Sequence, residues 1–228
     1  MYRLKKRIAI ANSIIMLKHD GTVWGWGPNR NGELCDGTTE PRYRPVRMNG
    51  IANAVDVDIE ENASATVLAD GTVWRCGMNA YSEMAKKNEP ESVKYTTPQQ
   101  IPGITTAVAV RTGGAAMVRI KDGTLLGWGS GIFGGLGNGR VEGIFPKPAP
   151  PIGLGPVLEH FWASNSAYAI KADGMMDVGV LHRRRGRRQG MAAHAAALAA
   201  DEARRLSGIY RRNSFSRCTA QIWILYSE

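Results

Sequence analysis

The chain has 228 residues, a formal net charge of +9 and a pI near 9.7. That length can bury a sizeable core, and no apolar stretch approaches the roughly 18 residues of a membrane-spanning helix, so no membrane partner is expected. Three cysteines, Cys35, Cys76 and Cys218, form an odd set without paired spacing, which suggests neither a disulfide framework nor a zinc pattern. The basic charge is unevenly placed: residues 181–228 hold ten Arg against Asp201, Glu202 and Glu228, which leaves the preceding residues nearly neutral.

Residues 1–19 open with Arg3-Leu4-Lys5-Lys6-Arg7 and an apolar run that imitates a signal peptide. Asn12 and Ser13 interrupt the run and no small-residue cleavage site follows, so it is read as the closing strand or two of an opening blade. With no convincing signal peptide, the compartment is unassigned, cytoplasmic by default.

Asp20-Gly21-Thr22-Val23-Trp24-Gly25-Trp26-Gly27 then begins a unit that the chain repeats. Asp70-Gly71-Thr72-Val73-Trp74-Arg75-Cys76-Gly77 and Asp122-Gly123-Thr124-Leu125-Leu126-Gly127-Trp128-Gly129 are further copies, and Asp173-Gly174 opens a fourth. The Asp-Gly pairs recur 50, 52 and 51 residues apart. A near-constant period of this size means stacked supersecondary units. Asp-Gly between apolar runs predicts a hairpin with a type I′ turn. Short strands are expected at Ser13–Leu17, Ala63–Leu68, Ala115–Ile120 and Ala167–Ile170 before the turns. After them a period of two puts Trp24 and Trp26 on one face. Pro45–Met48 and Ala54–Ile59 complete about four strands per repeat, one blade of a β-propeller. Trp24, Trp26, Trp74 and Trp128 are expected to pack in the core.

Asp-Gly-Thr-Val-Trp-x-Trp-Gly, followed by Asn29-x-x-Gly32-x-Leu34-x-Asp36-Gly37-Thr38 and by Pro45-Val46, resembles the regulator of chromosome condensation repeat. The resemblance covers roughly residues 7 to 174. It implies a seven-bladed propeller and non-covalent protein recognition. The family's prototype is a nucleotide exchange factor for a small nuclear GTPase that also binds chromatin, and a bacterial member of similar architecture inhibits β-lactamases. Fold therefore travels further than function here. On a period near 51, a seven-bladed ring would need about 350 residues, so the chain is expected to be a fragment.

Later segments refine this. Cys35 stands for a loop Gly of the pattern and Cys76 for the second strand Trp, and both read as small apolar substitutions. Asp56, Asp58 and Glu60 alternate on one strand face, which is expected to be solvated rather than a calcium site. The loop Asn79–Lys87 lacks the expected glycines, and Thr97–Ile101 restores the Pro strand. Gly129-Ser130-Gly131-Ile132-Phe133-Gly134 fits G-x-G-x-x-G, but Gly135-Leu136-Gly137-Asn138-Gly139 follows where a dinucleotide site needs a helix, so no nucleotide is expected. The Pro-rich run 146–156 reads as a blade connection.

After Asp173-Gly174 the chain gives Met175-Met176-Asp177-Val178-Gly179-Val180 in place of Trp-x-Trp-Gly. One base later, codons for Met176-Asp177 must contain TGG, Val178-Gly179 allows TGG, and Gly179-Val180 allows GGG. The shifted frame can spell the missing signature, which predicts that residues beyond about Met175 are translated out of frame. Residues 181–228, rich in Arg and Ala, are then expected to be non-native, disordered or helical.

The fold class that follows is all-β: a partial β-propeller of about three to four four-stranded blades over residues 1–180, with an irregular or helical tail over 181–228. Its unpaired blade edges predict poor solubility or oligomerisation. No catalytic, cofactor or metal residue is assigned. His19, His160, His182 and His194 lack any nucleophile elbow or zinc spacing. The expected function is non-enzymatic protein binding through the loops Asn29–Thr39, Asn79–Lys94 and Ser130–Gly143. The alternatives are nucleotide exchange on a small GTPase and nucleic-acid binding through the Arg-rich tail. The charge lies outside the repeats, so nucleic acid is not the favoured partner.

Overall fold

The computed structural model describes residues 7–79, 93–113, 115–131, 134–140, 142–163, 166–171 and 176–178. They all fall in one compact unit, Met1–His182. The expectations for residues 181–228 and for the Asp173-Gly174 corner lie outside the described residues.

Four antiparallel sheets follow one another. The first joins β1 (Arg7–Ile10), β2 (Ile14–Leu17), β3 (Val23–Gly27) and β4 (Arg42–Arg47). The second joins β5 (Ala54–Ile59), β6 (Ala63–Leu68), β7 (Val73–Met78) and β8 (Lys94–Gln100). The third joins β9 (Ala107–Thr112), β10 (Ala115–Ile120), β11 (Leu125–Ser130) and β12 (Ile144–Ala149). The fourth joins β13 (Glu159–Ala163), β14 (Ser166–Ile170) and β15 (Met176–Val178). The all-β propeller-blade expectation holds. Residues 7–17, however, are the first two strands of a sheet that β3 and β4 complete, and not the end of an earlier blade. The Pro-rich run likewise begins with an outer strand, β12.

Each Asp-Gly corner joins the second and third strands of its sheet. The turn is not type I′, because Asp20, Asp70 and Asp122 keep negative φ. Instead Gly21 N–H donates to Lys18 O at 3.1 Å and Lys18 N–H to Thr22 O at 2.9 Å. This is the three-residue loop that ends on a left-handed Gly, here with φ +75. Leu68–Thr72 and Ile120–Thr124 repeat it bond for bond. Asp20 Oδ1 accepts from Thr22 N at 2.9 Å, and Asp70 and Asp122 do the same at 2.9 and 2.8 Å. The next sheet is anchored at the same corner, because Ala54, Ala107 and Val157 donate their N–H to the carbonyls of Gly21, Gly71 and Gly123.

First strands of successive sheets lie side by side: β1 with β5, β5 with β9, and β9 with β13. The last strands β4, β8 and β12 are edges. They carry Pro45, Pro98, Pro146 and Pro148, and β4 adds exposed Arg44 and Arg47. Proline and charge at an edge discourage further pairing.

Cross-strand register gives each sheet two faces. In the first, Ile8↔Met16↔Trp24 and Ile10↔Ile14↔Trp26 share one face, the front; Ala9↔Ile15↔Gly25 share the other, the back. The first core cluster joins back-face residues Ala9, Ile15, Leu17 and Val23 to front-face Val57, Ile59 and Cys76 of the second sheet. The next joins Ala65, Val67 and Val73 to Val110, Val118 and Trp128, and a third joins Met117 and Leu125 to Ala167 and Ala169. One rule therefore builds every inter-sheet core: back face on front face. Trp128 is fully buried as expected, whereas Trp24, Trp26 and Trp74 are half-buried.

Candidate functional site

In the first sheet the loop Asn29–Thr39 joins the third strand to the fourth. The segment Asn29–Thr39 is held from within. Asn29 Nδ2 donates to Asp36 Oδ1 at 3.1 Å and to Thr38 O at 3.0 Å, while its Oδ1 accepts from Leu34 N at 2.9 Å. Arg42 Nε closes onto Asp36 Oδ2, and Arg42 Nη2 reaches Thr38 Oγ1 at 3.0 Å. Burial pushes the Asp36 carboxyl up, but hydrogen bonds from Thr38 and Arg42 outweigh it and hold the group below its ordinary 3.8.

The same loop is fastened to the next sheet. Gly37 N–H donates to Thr96 O at 3.0 Å, Asn31 Nδ2 to Asn62 Oδ1 at 3.0 Å, and Lys94 Nζ to Arg30 O at 3.0 Å. Glu33 is buried, with Oε2 accepting from Asn31 N at 2.8 Å, and burial raises its carboxyl above the usual 4.5. The loop shows Arg30, Gly37 and Thr39 to solvent, and Lys94 lies beside Arg30.

Cys35 and Cys76 are disulfide-bonded across the two sheets, their Cα atoms 5.6 Å apart. This corrects the reading of both as separate apolar substitutions without a disulfide. Cys35 also keeps a left-handed backbone, φ +55, where the third repeat has Gly137 at +64. Both substituted positions face the same inter-sheet core, which is why residues 41 apart in sequence meet.

Asp56 and Asp58 overturn the expected solvated face, since both are buried. β9 ladders only to β10, so its other N–H groups need acceptors. Asp56 Oδ2 takes Val110 N–H at 2.9 Å and Asp58 Oδ2 takes Thr112 N–H at 2.8 Å. Arg111 spans three sheets, with Nη1 at 3.0 Å from Asp56 Oδ2 and Nη2 at 3.0 Å from Glu159 Oε1. These carboxylates are structural acceptors, and no group of three or more metal-ligating side chains occurs among the described residues.

The other candidate loops differ in what is described. Of Asn79–Lys94 only the two ends are described. In Ser130–Gly143, successive turns run Gly134 N to Gly131 O and Gly137 N to Gly134 O, both 3.0 Å, and Arg140 is exposed, 5.8 Å from the Phe145 ring. No α-helix follows Gly134 among the described residues, so the nucleotide motif lacks its confirming element. His19 sits in the first turn, His160 is buried on β13, and His182 and His194 lie outside the described residues. No helix among the described residues is long and apolar enough to cross a membrane.

Comparison with known proteins meets this geometry. The model of the regulator of chromosome condensation (RCC1) repeat matches residues 20–59, from the first Asp-Gly corner to the end of β5. Residues 20–59 are a repeat of the regulator of chromosome condensation type. Human E3 ubiquitin-protein ligase HERC2 is 26% identical over 145 residues, 60% of this chain and 3% of that protein. Human protein RCC2 is 26% identical over 128 residues, 54% of this chain and 24% of that protein. The chain thus spans a small part of either relative. Among solved structures, Prp20p of Saccharomyces cerevisiae superposes with a TM-score of 0.65 at 15% identity, over 78% of this chain and 46% of that one. Human WBSCR16 superposes at 0.60 and 18% identity, over 73% and 44%. These likenesses concern the fold.

Proposed function

We propose that this chain is a non-enzymatic protein-binding propeller module whose recognition surface is the rim formed by Asn29–Thr39 and the start of β8. The observation that carries the reading is the clamping of that loop. Internal hydrogen bonds, bonds to Thr96 and Asn62, and the disulfide all fix it, while Arg30 and Lys94 stay exposed. A preorganised surface loses little entropy on binding. Two adjacent cations favour an acidic patch on the partner protein.

The test begins with affinity capture and continues with purified proteins. Arg30→Glu with Lys94→Glu is expected to weaken the captured partner's binding by about tenfold or more, most strongly at low salt. Unchanged affinity would reject this rim.

Exchange on a small GTPase is the second reading. It is favoured by the fold shared with Prp20p, whose structural description names binding to Gsp1p and histones. Nucleotide release from purified small GTPases, unaccelerated by the chain, would remove it. Nucleic-acid binding through residues 181–228 is tested by their deletion, with unchanged salt-dependent DNA binding as the result against it.

A further inference from the structure

Asn followed by Gly can react with itself, because glycine has no side chain to hinder attack by its own backbone nitrogen on the asparagine amide. The chain has three such pairs: Asn31-Gly32, Asn49-Gly50 and Asn138-Gly139. The fold treats them differently. Gly32 N–H donates to Asn29 O at 3.0 Å, and Asn31 is buried, its Nδ2 donating to Asn62 Oδ1 at 3.0 Å. Asn138 is half-buried, and its Oδ1 accepts from Arg140 N at 3.1 Å, which commits the carbonyl that would be attacked. At the middle pair both residues are exposed. Gly50 has φ +66, open space where a Cβ would stand, and an N–H without an acceptor among the described residues. The Asp-Gly pairs are committed as well: Gly21, Gly71 and Gly123 donate to Lys18, Leu68 and Ile120, and Gly37 donates to Thr96.

We propose that Asn49-Gly50 is a site of spontaneous covalent modification, at which the neutral amide becomes a carboxylate. The Gly50 nitrogen gives its proton to water and attacks Asn49 Cγ. The N–Cγ bond forms, the Cγ–Nδ2 bond breaks, and the departing amide takes a proton back from water to leave as ammonia. The product is a cyclic imide. One water then opens either of its carbonyls, which yields aspartate or isoaspartate, the second with the main chain lengthened by one carbon. No oxidant or cofactor enters. The position gives this chemistry a structural consequence. Met48 and Ile51, 1% and 2% exposed, anchor the chain on both sides of the pair in the first core cluster. Asn49 N–H also donates to Cys35 O at 2.9 Å, and its Nδ2 lies beside Gly37. The new carboxylate therefore stands against the Asn29–Thr39 loop, and the isoaspartyl form lengthens the chain between two buried anchors. The site is independent of the protein-binding reading, since its chemistry needs no partner.

The experiment ages the purified 228-residue chain at mildly alkaline pH, once folded and once in urea. Samples are reduced, alkylated and cut with trypsin, which places the three pairs in separate peptides, 31–42, 48–75 and 122–140. Tandem mass spectrometry locates each new carboxylate, and chromatography separates aspartate from isoaspartate. In the folded chain Asn49 is expected to react about tenfold or more faster than Asn31, whose hydrogen bonds must open first. It is also expected to react faster than Asn138. In urea the three rates are expected to converge. Asn49→Gln keeps an amide but cannot close the five-membered ring, so position 49 is expected to stay unmodified. Circular dichroism verifies that this variant folds. Asn31 or Asn138 reacting as fast as Asn49 in the folded chain overturns the proposal. So does an Asn49 that reacts only in urea, or a peptide 48–75 that gains its carboxylate equally fast in Asn49→Gln.

Discussion

Asp58 Oδ2 lies 2.8 Å from the backbone N of Thr112, on the first strand of the neighbouring sheet. A carboxylate does here what a strand ladder does elsewhere: it satisfies a donor that would otherwise be buried without an acceptor. Asp58→Ala is expected to destabilise the fold by about 1–3 kcal/mol, the cost of leaving such a group unpaired. Urea denaturation measures it, and a change within error would show that Thr112 N–H finds another acceptor.

The Cys35–Cys76 bond closes a separation of 41 residues. Constraining the unfolded chain over such a loop is worth about 4 kcal/mol in the chain-entropy view, with about 2–4 typical of measurements. Cys35→Ser with Cys76→Ser, or full reduction of the parent, should lower the unfolding free energy by that amount. Parent and variant unfolding at the same denaturant concentration would contradict the bond's role.

Glu33 and Asp36 sit three residues apart and titrate in opposite senses. The folded Glu33 carboxyl lies above 4.5, so upward of that pH the folded state binds more protons than the unfolded state, and stability falls as pH rises. Glu33→Gln should therefore be more stable than the parent at neutral pH and equal to it below 4.5. The folded Asp36 carboxyl lies below 3.8, so its contribution is present above that pH and is lost as pH falls through the folded value. Asp36→Asn should lose stability at neutral pH and converge on the parent in strong acid. Parallel stability–pH curves for parent and both variants would refute the assignment.

Arg75 takes the position that Gly25 and Gly127 hold in the first and third repeats. Its side chain is fully buried and its Nη2 pairs with Glu60 Oε1 at 3.1 Å. Glu60→Gln strands a buried guanidinium and should cost about 3 kcal/mol, whereas Arg75→Leu, which removes the charge, should be nearly neutral. Equal losses in the two variants would argue against this account.

Much of this architecture was legible from residue spacing. The recurrence of Asp-Gly-Thr located the hairpins, and period-two alternation placed Trp24 and Trp26 on one face. What alternation cannot say is what lies opposite a face, so Asp56 and Asp58 read as solvated when the next sheet covers them. The turn type was misread because Asp-Gly is shared by two hairpin geometries, and only the bond from Lys18 N to Thr22 O distinguishes them. The disulfide was hidden because its cysteines occupy unlike positions in adjacent repeats. Both replace residues facing one inter-sheet core, and that was the available signal. Arg30 and Lys94 carried no signal, since their proximity depends on how one sheet docks on the next.

Disulfide mapping tests the central claim most directly, that successive repeats are sheets packed back face to front face. The purified chain is treated with a mild oxidant, its free thiols are alkylated under denaturing conditions, and non-reduced peptides are identified by mass spectrometry. The account predicts one linked pair, Cys35 with Cys76, and an alkylated Cys218. Linkage through Cys218, or alkylation of both Cys35 and Cys76, would contradict it.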